Sequence, residues 1–362
     1  MNSTDLKKIL IGHQPLLDVR APVEYLAGHI PGAVNIPILN NEERALVGTE
    51  YKKKGQESAI QLGVKLISGS IKEERIAAWK DFFKKNPESL IYCFRGGLRS
   101  RTAQNWLAEV GVVIPRLEGG YKAARQMLLE TIEKAVTQFS ILIISGPTGG
   151  GKSHLLRAAQ NFFPTLDLEK LAQHRGSAFG FEAEPQPRQV HFENLIAQDF
   201  LRLLQNGDVI QKPLLIEDES RLIGKNVIPE GLFAKMRSSP IVWVDESLKK
   251  RVDNIFEDYI SNTVIALGSE EQGLALYLRY EKSLQSIERR LGGGRTQEIM
   301  LDLILAKNHY LKKRDLEPNR TWIEKLLVYY YDPLYLSSLE KRNPVVKFRG
   351  SAEEILLFLR SL

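Results

Sequence analysis

The sequence predicts two α/β domains, each built around a parallel sheet, and a helical extension at the carboxyl end of the second. Before residue 139, short apolar runs alternate with helical patterns, as in sheets whose strands are joined by helices. Residues 141–163 combine a buried strand, a glycine-rich turn and a helix. From residue 248 onward the pattern is mostly helical, and the length of 362 residues fits about two domains.

Composition narrows the class of protein. Apolar residues make up 43% of the chain, which is enough for packed cores, yet no apolar run approaches the roughly 18 residues of a membrane-spanning helix. Residues 1–8 lack the apolar core of a signal peptide. The single cysteine excludes an internal disulfide and fits a reducing cytoplasm. We therefore expect a cytoplasmic protein without a membrane partner, and the net charge of +6 permits an anionic partner such as nucleic acid.

We place the first domain at residues 1–135. Its apolar runs have the length of short strands, and turn residues separate them from helical patterns. In chain order, we predict a strand at 16–20, a helical turn at 21–26, a turn and strand within 28–37, a helix at 72–85, a strand at 90–93, a helix at 101–110, a closing strand at 112–114 and a connecting helix at 121–138.

Cys93 ends one of these predicted strands and precedes a glycine-containing loop that opens a helix. Active sites of open α/β sheets lie at this end of the strands. The loop offers backbone N–H groups and two arginines, which favour a thiolate and bind an anion. We therefore predict that Cys93 is catalytic and carries a transferable sulfur or selenium atom, rather than being a buried structural cysteine. The loop residues assigned with it are Arg95, Gly96, Gly97, Arg99 and Ser100.

The first domain resembles the rhodanese family. The similar stretches are residues 17–20, 28–32, 93–99 and 117–120. The resemblance implies a rhodanese-like fold with a parallel sheet. Asp18 and Arg20 match the Asp-x-Arg pair of that fold, which implies a supporting role for them and not a catalytic one.

The second domain, at residues 139–362, opens with a phosphate-binding loop. Gly146, Gly151, Lys152 and Ser153 fit the pattern G-x-x-x-x-G-K-[ST], which predicts a P-loop NTPase-like α/β domain. Glycines let backbone N–H groups close around phosphate oxygens, Lys152 adds a full charge, and the Ser153 hydroxyl can ligate Mg²⁺. The predicted phosphate-binding residues are Gly146, Thr148, Gly149, Gly150, Gly151, Lys152 and Ser153.

Three weaker signals follow the loop. The polar segment at 174–180 offers His174 and Arg175 as phosphate or RNA contacts. An apolar strand at 213–216 ends in acidic residues, where a magnesium-associated carboxylate is expected. We assign Glu217 and Asp218 to this role, with Arg221 as a further phosphate donor, in preference to the competing strand and acid at 241–245. Basic and aromatic residues that suit RNA lie at 287–290, 312–314 and 329–335.

Over nearly its whole length the chain resembles the tRNA 2-selenouridine synthase family. The similar stretches are residues 40–55, 95–100, 118–123, 146–153, 174–180, 217–224, 330–335 and 346–350. The resemblance implies a transferase that acts on the wobble 2-thiouridine of tRNA. Geranyl diphosphate would first alkylate the sulfur, and selenium from selenophosphate would then replace the S-geranyl group.

The resemblance also implies how the residues divide between the two steps. The phosphate loop would bind the diphosphate, with Lys152 stabilising its charge and Ser153 and Asp218 placing Mg²⁺, although no metal ligand set is firmly assigned. Cys93 would carry or deliver selenium while its loop holds selenophosphate. No covalently bound cofactor is expected. Two alternatives stay open: an ATP-dependent tRNA thiolation or kinase-like enzyme fused to a sulfurtransferase, and a nucleotide-gated RNA-binding protein without catalysis.

Overall fold

The computed structural model describes residues 3–12, 15–177, 179, 185–205, 212–267 and 269–362. Two compact units divide the chain. The first contains the residues up to Ala135 together with the helix Gln189–Gln205. The second contains Val136–Gln186 and the described residues from Lys212 to the end. Within the described residues, no helix is both long and apolar enough to cross a membrane.

The first unit is built on a three-stranded parallel sheet. The strands are β1 (Leu17–Asp18), β2 (Val34–Asn35) and β3 (Ile91–Tyr92), and β1 lies in the middle. Ile91 also forms a parallel bridge with Arg116, where we had expected a strand nearby at 112–114. The helices are α1 (Ser3–Ile11), α2 (Pro22–Ala27), α3 (Asn41–Leu66, kinked at Gly55), α4 (Ser70–Lys85), α5 (Leu98–Glu109) and α6 (Gly120–Gln138).

Asp18 and Arg20 form a buried ion pair at the end of β1. The Arg20 guanidinium donates to the Asp18 carboxylate at 2.6 Å, and the two side chains are 2% and 0% exposed. Arg20 also donates to the Gly28 carbonyl and lies 4.1 Å from the centre of the Tyr121 ring. The pair therefore ties the strand to the turn that follows α2, which is a structural task.

Replacing Asp18 with asparagine is expected to destabilise the first unit by about 3–5 kcal/mol, because Arg20 would keep a buried and uncompensated charge. The matched control is Asp81→Asn, which breaks a pair with Lys85 whose side chains are 70% and 75% exposed. That change should stay within about 0.5 kcal/mol. Hydrogen exchange of first-unit peptides measures both variants, and equal protection in the two would contradict a structural role for the buried pair.

The second unit contains a five-stranded parallel sheet in the order β10-β9-β4-β6-β5. Its central strand leads into the phosphate loop, and all five of its residues are buried. The strands are β4 (Ile141–Ser145), β5 (Thr165–Leu166), β6 (Leu214–Glu217), β9 (Ile241–Val244) and β10 (Val346–Gly350), with an antiparallel hairpin of β7 (Leu222–Ile223) and β8 (Asn226–Val227) outside the sheet.

Helices cover this sheet and extend beyond it. They are α7 (Lys152–Ala159), α8 (Leu168–Ala172), α10 (Glu230–Ser238), α11 (Leu248–Ile255), α12 (Asn262–Leu267), α13 (Glu270–Leu291), α14 (Gly293–Lys313), α15 (Asn319–Leu326), α16 (Asp332–Arg342) and α17 (Ala352–Ser361). The mostly helical extension agrees with expectation, but it returns to the sheet as β10, which the sequence analysis did not predict.

Two π-helical turns interrupt the extension, at Phe256–Ser261 and Leu327–Tyr331. Such turns are rare and are frequently found at functional sites. Around them lies a separate core, centred on buried side chains such as Tyr280, Leu303 and Trp322. This core holds the extension together independently of the sheet, whose own core includes Leu155 and Leu359.

The helix α9 (Gln189–Gln205) packs within the first unit although it follows the phosphate loop in sequence. Gln198 donates to the Leu10 carbonyl of α1 at 2.8 Å, and Asn194 donates to the His29 carbonyl at 2.8 Å. Arg125 of α6 contacts both Glu193 and Asn194. The amphipathic pattern predicts this helix, but it does not indicate with which of the two units the helix packs.

Candidate functional site

Cys93 lies directly after β3 in the first unit, with only 3% of its surface exposed. Its Sγ is 3.2 Å from the Ser100 hydroxyl, which in turn donates to the Gly97 carbonyl at 3.2 Å. Ser100 is fully buried. The thiol is therefore enclosed by the first turn of α5, whose leading N–H groups lack intrahelical partners and favour an anion.

A glycine turn at 117–120 supports the cysteine loop through backbone contacts. Tyr121 N–H donates to the Cys93 carbonyl at 2.9 Å, and Lys122 N–H donates to the Phe94 carbonyl at 2.8 Å. Gly120 has φ +56°, and a Cβ there would lie 2.2 Å from the Cys93 carbonyl oxygen. Only glycine fits, so the Leu-Glu-Gly-Gly stretch is explained by the close approach of two backbones.

The two loop arginines have different surroundings. Arg99 contacts both carboxylate oxygens of Glu24, at 2.5 and 3.1 Å. Burial opposes ionisation of Glu24, but the hydrogen bond and charge of Arg99 keep the pKa of that carboxyl below its ordinary value. Arg95 is exposed and lies 5.9 Å from the centre of the Phe94 ring. Among the described residues, Arg95 has no carboxylate partner, so of the two arginines it is the one that can bind an anion without first breaking an ion pair.

The phosphate loop joins β4 to α7 as the motif requires. Gly151 is the last residue before α7 and has φ +77°, a conformation that favours glycine. Lys152 Nζ lies over the loop, 2.9 Å from the Gly146 carbonyl oxygen and 3.4 Å from that of Pro147. Its charge is therefore held where a phosphate group would bind.

Side chains from α11 orient the peptide groups of the loop. Arg251 donates to the Thr148 carbonyl at 2.8 Å, and Asn254 donates to the Gly149 carbonyl at 2.9 Å. Because the peptide group is planar, the N–H that follows each bonded carbonyl points the opposite way, away from α11. Gly149 has φ +81°, and a Cβ there would lie 2.8 Å from the Arg251 carbonyl oxygen.

Three glutamates converge beside Ser153. The Ser153 hydroxyl lies 3.1 Å from Glu169 and 3.2 Å from Glu217, and one carboxylate oxygen from each of Glu169, Glu217 and Glu219 lies within 4.8 Å of the others. Burial, followed by the charge of Glu217, raises the pKa of Glu169 to about 8. Burial and the neighbouring carboxylates also raise the pKa of Glu219 well above its ordinary value. Burial and the mutual repulsion of the carboxylates therefore disfavour ionisation of all three together, and a bound cation would offset that repulsion.

Asp218, which we had assigned to magnesium with Glu217, makes different contacts. Its carboxylate accepts from the Ser145 hydroxyl at 2.5 Å, from Tyr335 at 3.1 Å and from Arg342 at 2.9 Å. The Tyr335 hydroxyl also accepts the Gly146 N–H at 2.7 Å. Asp218 therefore anchors α16 to the base of the phosphate loop, and the oxygen atoms around Ser153 come from Glu217 and its two glutamate neighbours.

The other residues predicted for the phosphate site differ in whether they line the cavity beside the loop. Arg175 lines the same cavity as the phosphate loop, whereas His174 accepts the Gly176 N–H at 3.1 Å and does not line it. Arg221 is exposed and lies 3.9 Å from Glu230, so it adds no phosphate donor beside Glu217. On the competing strand, the Asp245 carboxylate accepts from Arg349 at 2.8 Å and does not line the cavity either.

These groups surround a cavity of about 380 Å³. That volume is within the range of small-molecule sites. Its lining includes the phosphate loop and the glutamates, and it also includes aromatic and aliphatic side chains. The residues of these two groups include Thr148, Gly149, Gly151, Lys152, Ser153, Glu169, Glu217, Asp218, Glu219, Ile255, Tyr259, Tyr331, Leu334 and Tyr335.

The segments considered for RNA do not form one surface. In the stretch 329–335, Tyr330 is a core residue and Tyr331 and Tyr335 line the cavity, which corrects the expectation of an exposed aromatic patch. The exposed basic groups at 289–290 and 312–314 lie near opposite ends of α14, a 21-residue helix. At 1.5 Å per residue they are separated by about 30 Å. Of the segment 174–180, residues 178 and 180 lie outside the described residues.

Sequence reasoning missed Glu169, Glu219 and Tyr335. A signal existed for Glu219, because side chains alternate along a strand and its continuation, which places residues 217 and 219 on one side and 218 on the other. No local signal marks Glu169, which lies in the short helix α8. Tyr335 reaches Ser145 across 190 positions of sequence.

Comparison with known proteins agrees with this architecture. A family model described as the tRNA 2-selenouridine synthase AAA domain matches residues 139–362, and one described as the rhodanese-like domain matches residues 2–126. A tRNA 2-selenouridine synthase of Bdellovibrio bacteriovorus is 50% identical over 99% of this chain and 97% of its own. The corresponding protein of Nitrosomonas europaea is 46% identical over 99% of this chain and 97% of its own. The chain therefore belongs to the tRNA 2-selenouridine synthase family of enzymes.

Proposed function

We propose that this chain converts the wobble 2-thiouridine of tRNA to 2-selenouridine in two steps, S-geranylation followed by selenium transfer. The observation that carries the proposal is the presence of two anion-binding loops with different chemistry in one chain. One combines Lys152 with the start of α7, and the other combines Cys93 with the start of α5. Two phosphorus-containing substrates, geranyl diphosphate and selenophosphate, match these two loops.

Geranylation uses the phosphate loop. The thiocarbonyl sulfur attacks the allylic carbon, a C–S bond forms, and the C–O bond breaks as diphosphate departs with the electron pair. Lys152 and the N–H groups of the loop stabilise the charge that develops on the leaving group, which is electrostatic catalysis. Geranylation prepares the base for the second step. It converts the thiocarbonyl into a C2 carbon that carries a leaving group, geranylthiol.

Mg²⁺ fits the oxygen atoms around Ser153. This ion prefers hydroxyl and carboxylate oxygens, and Ser153, Glu169, Glu217 and Glu219 supply them. The Glu217 Oε2 atom is buried and has no hydrogen-bond partner among the described residues. When bound, the cation would neutralise charge on the diphosphate. Ser153 and the three glutamates would hold it, while Asp218 keeps its structural contacts.

Selenium transfer uses the cysteine loop. Selenium in selenophosphate is already at the selenide level, so an S–Se bond to Cys93 would require a two-electron oxidant that the reaction does not supply. Cys93 therefore delivers selenium instead of carrying it. Its thiolate attacks phosphorus, an S–P bond forms, and the P–Se bond breaks with the electron pair on selenide. Selenide then displaces geranylthiol from C2 of the base, and water hydrolyses the S–P bond.

Ligand competition separates this proposal from the ATP-dependent alternative. We expect geranyl diphosphate to bind the full chain at least 10-fold more tightly than ATP in competition calorimetry with Mg²⁺, since the cavity beside the loop is partly lined by apolar side chains. Inorganic pyrophosphate serves as the control for the phosphate contribution. Tighter binding of ATP, with ATP turnover in the presence of tRNA and a sulfur donor, would instead support the thiolation or kinase-like enzyme.

A further inference from the structure

The phosphate-loop cavity is lined by charged and polar residues such as Asp258 and by four apolar or aromatic residues, Ile255, Tyr259, Tyr331 and Leu334, which we call the tail wall. The tail wall touches the loop directly, because the Ile255 Cδ1 atom lies 2.9 Å from the position that a Cβ on Gly149 would occupy. The next residue after Leu334, Tyr335, contacts the Gly146 N–H. A ligand held by the phosphate loop would therefore extend along these side chains.

Both π-helical turns contribute to this wall. Tyr259 belongs to the turn Phe256–Ser261, and Tyr331 ends the turn Leu327–Tyr331. A π-helical turn inserts one residue into a helix and changes the direction of the following side chains, and it is frequent at functional sites. Two such turns, widely separated in sequence, contribute residues to the same cavity. The helical extension thus places side chains from both turns beside the phosphate loop.

The chemistry of the wall favours an alkenyl group over a purine base. Leu334 is 45% exposed, so a ligand that covers it would gain from burying apolar surface. Cations already lie over two aromatic rings of the cavity: Arg175 is 5.1 Å from the centre of the Tyr259 ring, and Lys152 is 5.8 Å from that of Tyr335. A base that needs a free face for stacking finds less to bind here than an apolar chain does.

We propose that the tail wall is the subsite for the isoprenoid chain of the diphosphate substrate and that Leu334 contacts this chain. This inference rests on the proposed function, since it assigns the tail of the diphosphate already placed at the loop. Each methylene that the wall buries contributes roughly fourfold in affinity. Geranyl diphosphate should accordingly bind much more tightly than its five-carbon analogue, dimethylallyl diphosphate.

The test compares Leu334→Trp with Leu336→Trp in the full chain, by calorimetry with Mg²⁺. Leu336 lies on the same helix, is 49% exposed and does not line the cavity, so it is the matched control. The ligands are geranyl diphosphate, dimethylallyl diphosphate and inorganic pyrophosphate. Leu334→Trp should weaken geranyl diphosphate at least 10-fold and leave pyrophosphate within twofold, whereas Leu336→Trp should bind all three as the unmodified protein does.

Three contrary results have different meanings. If Leu334→Trp binds geranyl diphosphate like the unmodified protein, while that protein prefers geranyl diphosphate to pyrophosphate, the tail wall is wrong and the proposed function stands. If the unmodified protein binds geranyl diphosphate no more tightly than pyrophosphate, the proposed substrate is wrong and the tail wall is overturned with it. Loss of pyrophosphate binding in Leu334→Trp alone would show that Leu334 supports the loop instead of the tail.

Discussion

Replacing Lys152 with alanine is expected to stop geranylation while selenation of tRNA that already carries S-geranyl-2-thiouridine continues. Lys152 is the full positive charge over the phosphate loop, 2.9 Å from the Gly146 carbonyl oxygen. Losing one such preorganised group costs on the order of 10²-fold or more in rate. Selenation that starts from plain 2-thiouridine should fail as well, because no geranylated intermediate would form.

The control for this variant is Lys249→Ala. Lys249 is an exposed lysine of α11 that does not line the cavity, so its removal changes net charge by the same amount without touching the loop. Both variants are assayed by mass spectrometry of tRNA nucleosides on the two tRNA substrates. If Lys152→Ala geranylates tRNA at the rate of the control, the phosphate loop has no role in the first step.

Replacing Cys93 with serine is expected to have the reverse effect. A serine hydroxyl is not appreciably ionised at neutral pH, so it cannot attack phosphorus as the thiolate does. The exchange is close in shape and can keep the contact with Ser100, so the loop should stay folded. The variant should geranylate tRNA normally, and S-geranyl tRNA should accumulate when selenophosphate is present.

Lys152→Ala provides the complementary control for Cys93→Ser. Lys152→Ala should complete selenium transfer to geranylated tRNA, which Cys93→Ser cannot. Mixing the two variants with tRNA should therefore restore formation of 2-selenouridine. If Cys93→Ser selenates geranylated tRNA at the rate of the unmodified protein, the thiol has no role in selenium delivery. The buried cysteine would then be structural, which is the ordinary state of a free cysteine in a protein interior.

The parts that sequence reasoning predicted well depend on local pattern. The phosphate loop is a continuous motif whose strand, glycines and helix follow one another, and β4 and α7 lie as that order requires. The cysteine loop is likewise local, since strand, glycines and helix follow one another within a few residues. The glycine turn at 117–120 is identified by resemblance, and its physical reason is a tertiary contact, because a Cβ on Gly120 would meet the Cys93 carbonyl oxygen.

The parts that it missed depend on tertiary contacts. Strand β10 carries an alternating pattern at Val346–Gly350, but it lies at the edge of the sheet and three of its five residues are exposed, so the apolar signal is weak. The helix α9 is predicted by periodicity, yet its place in the first unit is set by partners such as Leu10 and His29. The aromatic stretch around Tyr335 suits RNA as well as a pocket, because aromatic residues are common to cores, pockets and stacking surfaces.

The most direct test of the two-step account is nucleoside mass spectrometry of tRNA incubated with the full chain, first with geranyl diphosphate and then with selenophosphate. The account predicts that S-geranyl-2-thiouridine appears in the first incubation and is replaced by 2-selenouridine in the second. It also predicts no selenation when geranyl diphosphate is left out. Formation of 2-selenouridine from unmodified 2-thiouridine tRNA with selenophosphate alone would contradict it.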